Sequence, residues 1–277
     1  MNNNNLAGSV AVVTGCGRKQ GIGRATALAL AAAGADVAVT DIAAAGTRNA
    51  GEVGDADAAA GWKGLPSLVE ELEGRGSRAL PVLGDVGIKD DAERMVREVV
   101  EHYGRIDILV NNAAAPHGGD RTWLWEVSEE TFDEALRVNT KGVFLMSTAV
   151  IRHLLQRGGP GRIINIASVA GTVGLAQRGP YCTSKFAVRG LTQTMAQELA
   201  PHGITVNAVC PGAVDTSRRA SSATHMAALQ ESGVQTLTFN QVAGPEAVAH
   251  AVAFLAHPES GYINGQSIIV NGGSAML

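Results

Sequence analysis

An α/β architecture, one doubly wound parallel sheet with helices on both faces, is what the patterning of this chain predicts. Short β-branched, apolar runs alternate with longer stretches of helical pattern along the whole sequence. The runs are apolar nearly throughout and do not alternate, as strands covered on both faces must be. Glycines crowd the turn between the first run and the first helix, where such sheets bind ligands.

The elements follow in order. The first strand is 9-SVAVVT-14, and a glycine-rich turn leads into an Ala-rich helix over 22–33. Strand two is 36-DVAVT-40, followed by helical pattern near 66–75. Strand three, 79-ALPVL-83, precedes a helix over 89–103, and strand four, 106-IDILV-110, precedes a long helix over 129–156. Strand five, 162-RIINIA-167, leads to a helix over 183–200, and strand six is 204-ITVNAV-209. A helix over 245–256 and the strand 267-SIIV-270 complete the set. No repeat and no Pro/Ser-rich linker interrupts this rhythm, so residues 1–277 read as one domain. Two segments stand outside it. Residues 42–64, rich in Ala, Gly and Asp, form an insertion after strand two, read as a solvated loop. Residues 213–243 make a connection long enough to act as a lid over a substrate.

Composition narrows the function. With 45% hydrophobic and 17% charged residues in 277, the chain can bury a sizeable core and is not of the disordered class. A net charge of −4 offers no basic footprint for nucleic acid. Three scattered cysteines, Cys16, Cys182 and Cys210, contain no CxxC pair, which speaks against a sequence-local zinc site and fits a reducing compartment. The start, MNNNNLAG, has no signal-peptide pattern, and the Ala-rich run 25–45 is broken by Gly34, Asp36 and Asp41. A cytoplasmic protein with no membrane partner is expected.

The stretch 14-TGCGRKQGIGRATALAL-30 carries the first functional signal. Glycines after a strand allow a tight turn and close approach to a pyrophosphate, and the helix that follows offers free N–H groups and the positive end of its dipole. The expected ligand is a dinucleotide on a Rossmann-like sheet. Asp41 ends strand two, where a carboxylate accepts the adenosine ribose hydroxyls and repels a 2′-phosphate, favouring NAD over NADP. Arg18 and Lys19, in the glycine loop, are the counter-indication, since a basic group there pairs with a 2′-phosphate.

Further motifs occur in order: 84-GDV-86, 111-NNAAA-115, Asn139 in 138-VNTKG-142, Ser168 in 164-INIASVAG-171, 181-YCTSK-185, 207-NAVCPGAVDT-216 and 264-NGQSIIVNGG-273. With the glycine loop, they make the sequence resemble the classical short-chain dehydrogenase/reductase family from Val10 to about Gly273. The resemblance implies a catalytic set of Asn139, Ser168, Tyr181 and Lys185. The chemistry suits those residue types. Moving a hydride between nicotinamide and a carbonyl carbon requires a proton moved at the oxygen. A free phenol titrates near about 10, and an ammonium one helical turn on favours its ionised form. Tyr181 is thus the implied general acid/base and Ser168 the donor to the substrate oxygen. Lys185 would also hold the nicotinamide ribose, and Asn139 a water in the proton relay. The cofactor contacts implied are Gly15, Gly17, Gly21, Ile22, Gly23, Asp41, Asp85, Val86, Asn112, Ala113, Tyr181, Lys185, Pro211, Gly212, Val214 and Thr216.

The sequence departs from the family pattern in two places. Five residues separate Gly15 from Gly21 where the family commonly has three, which leaves the glycine register open, and the usual NNAG reads NNAA, with Ala114 in place of glycine. Substrate-shaping positions fall around His117, Trp123 and Trp125, between Ser168 and Tyr181, and in the lid with Met226, Leu229 and Phe239. Their mixed apolar character suggests a secondary alcohol or ketone of modest size, and His117 receives no role. The resemblance also implies pro-S hydride transfer and a homotetramer built on the helices 129–156 and 183–200 and the last strand. The expected activity is NAD-dependent interconversion of a secondary alcohol and a ketone. An NADPH-dependent 3-oxoacyl thioester reductase and a catalytically silent NAD-binding protein are the alternatives.

Overall fold

The computed structural model describes residues 5–50, 52, 56–217 and 242–274. One sheet organises them. Its seven strands are β1 (Val10–Thr14), β2 (Asp36–Asp41), β3 (Ala79–Leu83), β4 (Ile108–Asn111), β5 (Gly161–Ile166), β6 (Ile204–Pro211) and β7 (Ser267–Val270). They lie side by side in the order 3-2-1-4-5-6-7, and every pairing is parallel. The order reverses between β1 and β4, so their C-terminal ends open a crevice at the switch point, where doubly wound sheets receive ligands.

The continuous apolar strands are explained by cover on both faces. On one side Val13, Val37, Val39 and Ile164 pack with Leu30 of α1 (Ile22–Ala32), Leu68 of α3 (Leu65–Glu73) and Val252 of α8 (Pro245–Ala256). On the other, Val12, Leu109 and Ile163 pack with Met95 of α4 (Lys89–Tyr103), Met146 of α6 (Gly142–Arg157) and Met195 of α7 (Gly179–Leu199). A third cluster joins Val188 of α7 to Ala208 and Cys210 of β6.

Three elements differ from their sequence expectation. The helix expected over 129–156 is α5 (Glu129–Leu136) and α6 joined by a π-turn at Arg137–Lys141. That one wide turn carries Asn139, and such bulges recur at functional sites. Helix α7 begins at Gly179 and not at 183, with Pro180 in its first turn, so Tyr181 and Lys185 share one helix. The third difference is the insertion. Its described part is no solvated loop: Trp62 is 8% exposed, donates its indole N–H to the Gly17 carbonyl at 2.7 Å, and lies under the Arg24 guanidinium at 5.3 Å. The short helix α2 (Ala56–Ala59) supplies Asp57, which together with Glu52 pairs with Arg18. A buried indole and the ion pairs of Arg18 fix its described residues, which the Ala/Gly composition conceals.

Candidate active site

A cleft of 320 Å³ lies along the C-terminal ends of the strands. Its floor begins at the turn after β1. Gly15 has φ 75°, and a Cβ there would sit 2.8 Å from the Ala113 Cα, so only glycine allows β1 and β4 to converge here. The Asn112 amide ties the two strands by donating to the carbonyls of Thr14 and Gly15, at 2.7 and 2.9 Å. Gly21 is the N-cap of α1, and no side chain caps that helix. Its first N–H groups are therefore left for an anion, with the positive dipole end behind them. This cradle suits the pyrophosphate of a dinucleotide.

One end of the cleft lies at the C-terminal end of β2. Asp41 lines the cleft and accepts N–H bonds from Gly17 at 2.9 Å and from Ile42 at 2.8 Å. Arg18 lines the same end, but its guanidinium is engaged by Glu52 at 2.9 Å, Asp57 at 3.3 Å and the Thr47 carbonyl at 3.1 Å. Asp85 and Val86 complete this wall, with Asp85 paired to Arg137 at 2.8 Å.

Ser168, Tyr181 and Lys185 line the other end of the cleft. Ser168 follows β5 and caps a short 3-10 turn, where its Oγ accepts the Ala170 N–H at 3.1 Å and keeps its own proton to give. Lys185, 3% exposed, donates to the Ile166 carbonyl at 2.8 Å, and its ammonium lies 5.8 Å from the Tyr181 ring centre. The Tyr181 ring meets His117 edge-on at 5.2 Å. His117 Nδ1 lies 3.0 Å from Asp120, whose carboxyl burial alone would raise; the His117 and Gly118 hydrogen bonds outweigh burial and hold it below its ordinary range.

The insertion spans both ends. Thr47 lines the cleft, and Asn49 and Ala50 bond the backbone of His117, by Asn49 Oδ1 accepting its N–H at 2.8 Å and Ala50 N–H donating to its carbonyl at 2.9 Å. On the opposite rim Val214 bridges to Ala243, and the Ser217 N–H donates to Gln20 of the glycine loop at 3.0 Å. Residues 213–217 thus begin the segment expected as a lid. Most of that segment, including Met226, Leu229 and Phe239, lies outside the described residues.

Of the expected contacts, Gly15, Gly21, Ile22, Asp41, Asp85, Val86, Asn112, Ala113, Tyr181, Lys185, Pro211, Gly212, Val214 and Thr216 line this cleft. Gly17 and Gly23 do not. Gly17 is turned onto Gly46 of the insertion, and Gly23 packs beneath the loop against the Gly15 carbonyl. Asn139, 1% exposed, accepts the Ala115 N–H at 2.8 Å and donates to Ser184 Oγ at 2.9 Å. It lines an adjoining cavity that shares Tyr181 with the main cleft. Arg121 and Arg178 line the cleft near Tyr181 and carry no motif that the sequence would flag.

Known proteins fit this picture. The family model for enoyl-(acyl carrier protein) reductases matches residues 55–275. An uncharacterized oxidoreductase of Thermotoga maritima is 35% identical over 277 residues, covering 99% of this chain and 100% of that protein. A 3-oxoacyl-(acyl-carrier-protein) reductase of the same organism is 35% identical over 268 residues, covering 97% and 98%. A short-chain dehydrogenase from Burkholderia cenocepacia J2315, solved in complex with NADP, has a TM-score of 0.81 at 34% identity and covers 98% of this chain and 99% of its own.

Proposed function

The chain is an oxidoreductase of the short-chain dehydrogenase/reductase family, and from that premise we propose that it interconverts a secondary alcohol and a ketone with NAD. The observation that carries this is the single cleft with a dinucleotide cradle at one end and Ser168, Tyr181 and Lys185 at the other. A bound nicotinamide cofactor supplies or takes up the hydride. Tyr181 moves the proton at the substrate oxygen, Ser168 Oγ donates a hydrogen bond to that oxygen, and Lys185 fixes positive charge beside the phenol from its anchor on β5. Asn139 acts through its neighbours, holding Ala115 against α7 and facing the cavity behind Tyr181, where a water relay would run.

Preference for NAD rests on Asp41 at the end of β2 and on Arg18 being neutralised by two carboxylates of the insertion. A second reading, an NADPH-dependent 3-oxoacyl thioester reductase, is favoured by the name of the Thermotoga maritima relative and by the NADP complex of the Burkholderia cenocepacia protein. Assembly as a tetramer through α6 and α7 is supported by the exposed Phe144, Leu155 and Phe186 on those helices, and light scattering checks it. A screen of secondary alcohols with NAD⁺ and with NADP⁺, read as absorbance of the reduced cofactor, tests the main proposal. Turnover with NAD⁺ supports it, and turnover of 3-oxoacyl thioesters with NADPH alone replaces it with the second reading.

A further inference from the structure

The Tyr181 end of the cleft brings two arginines together against one nearby carboxylate, Asp120, which pairs with Arg121 at 3.4 Å. Arg121, from the segment after β4, and Arg178, the N-cap of α7, both line it with Tyr181, Ser168 and Lys185. The Arg121 guanidinium carbon lies 5.9 Å from the Tyr181 ring centre. Its Nε is shielded from solvent, 3.4 Å from Asp120, and makes no hydrogen bond. Asp120 is already held by His117 and the Gly118 N–H. The guanidinium of Arg178 has no hydrogen bond or ion pair among the described residues. Burial first, and the Arg121 charge second, push its pKa down against the opposing pull of Tyr181, Cys182 and Asp120.

Asp120 balances only one of the two cations, and the carboxylates lining the cleft are committed elsewhere. Asp41 serves Gly17 and Ile42, and Asp85 and Glu134 both serve Arg137. Gln177, next to Arg178, is the only non-glycine residue in the left-handed backbone region among those described, with φ 59°. Backbone strain of this kind persists where the surrounding structure holds a side chain in a set position. A partly buried pair of like charges beside an uncapped helix start costs free energy in the ligand-free fold, and an incoming anion would offset it.

We propose that Arg121 and Arg178 form a fork for an oxyanion, a carboxylate or phosphate carried by the alcohol or ketone on which Tyr181 acts. The substrate class is thus an anionic hydroxy or oxo compound, and this rests on the proposed function of Tyr181. Planar guanidiniums grip such groups through paired N–H donors, which would set the carbinol carbon at a fixed reach from the fork.

Calorimetric titration of the protein loaded with oxidised cofactor, which cannot reduce the probes, tests the fork with matched ketones: acetoacetate against methyl acetoacetate, and dihydroxyacetone phosphate against dihydroxyacetone. At least one anion should bind about tenfold or more tightly than its neutral partner, as charge-assisted pairing requires. The carboxylate and phosphate arms show which oxyanion is taken. Arg178→Met and Arg121→Met should each erase the gap while the cofactor dissociation constant changes less than about twofold, and Arg178→Lys should keep part of it. If either methionine variant misfolds, the other and the lysine variant decide. Equal affinity for charged and neutral partners, no anion binding, or a preference that survives both methionine variants overturns the fork. Neutral ketones turned over without any anion preference would defeat the fork and leave the proposed function standing. Anion preference with no ketone turned over would do the reverse.

Discussion

A tyrosine in the first turn of a helix is ordinarily a packing residue, and Tyr181 differs by its company. Within a few ångströms of its ring lie an ammonium, an imidazole and a guanidinium, all on the cleft that holds the dinucleotide cradle. If the phenol moves the proton, Tyr181→Phe lowers kcat by about 10²–10⁴-fold. Cofactor affinity in a fluorescence titration with NADH should stay within error, and retained turnover would remove Tyr181 from the mechanism. At the other end, Asp41→Ala deletes the acceptor for Gly17 and the repulsion toward a 2′-phosphate. NAD affinity should fall about tenfold, the scale of a charge-assisted hydrogen bond, and the NAD-to-NADP ratio of kcat/KM should shift toward NADP. An unchanged ratio would show that discrimination lies elsewhere. That Ser168, Tyr181 and Lys185 belong to one site was an expectation carried by residue type and chain order, and the fold brings all three to one cleft. Arg121 and Arg178 were not legible in the sequence, because an arginine acquires meaning only from what the fold sets opposite it.

At the scale of elements, strands were the easiest to read, since burial on both faces writes itself as an unbroken apolar run. Helix boundaries shifted where local chemistry and not periodicity decides: Pro180 starts α7 early, and a π-turn divides the long helix at Asn139. The insertion was the least legible element. Its composition resembles a solvated loop, yet three of its residues, Glu52, Asp57 and Trp62, bind the glycine loop, and Asn49 and Ala50 reach His117. Each of those contacts joins distant parts of the chain, which no local pattern reports. Trp62→Ala removes a buried indole together with the acceptor-satisfying bond to Gly17. It should cost about 3–5 kcal/mol in urea unfolding and weaken dinucleotide binding, because the glycine loop loses its support. A loss under about 1 kcal/mol would mean that the indole packs against a surface able to relax. The buried amides of Asn111 and Asn165 tie β4 and β5 to Ser147 of α6 and Thr192 of α7 through bonds of 2.8–2.9 Å. Asn165→Ala strands two of those partners inside the core. A drop of about 2–4 kcal/mol is expected from the unsatisfied groups, measured as a fall in the unfolding midpoint.

For the whole molecule, titratable groups held partly or wholly away from solvent set the pH range in which the fold is most stable. His153 on α6 accepts the Ile106 N–H at Nε2, 3.0 Å away, and only a neutral imidazole can do so. Burial, then the Arg157 charge, hold its pKa below the ordinary value. The unfolded chain therefore takes up this proton first, and stability declines as pH falls below about 6.5. Asp120, also lowered, acts in the same direction at more acid pH, being lost as pH falls through its folded value. On the alkaline side the sign reverses. Burial raises the thiols of Cys16 and Cys210, and it pushes Tyr103, half-buried near Asp36, up to about 12. These groups stay protonated in the fold after the unfolded chain has released them, so stability declines above about 8.5 and again above about 10. The melting temperature should accordingly form a plateau between about pH 6.5 and 8.5 with a shoulder on each side. Scanning fluorimetry across pH 4–11 would show it. The decisive comparison is His153→Gln, whose amide oxygen can still accept the Ile106 N–H without titrating. It should flatten the decline just below about pH 6.5 and leave the alkaline arm untouched. If the acid arm keeps its slope in that variant, His153 is not the group that sets it.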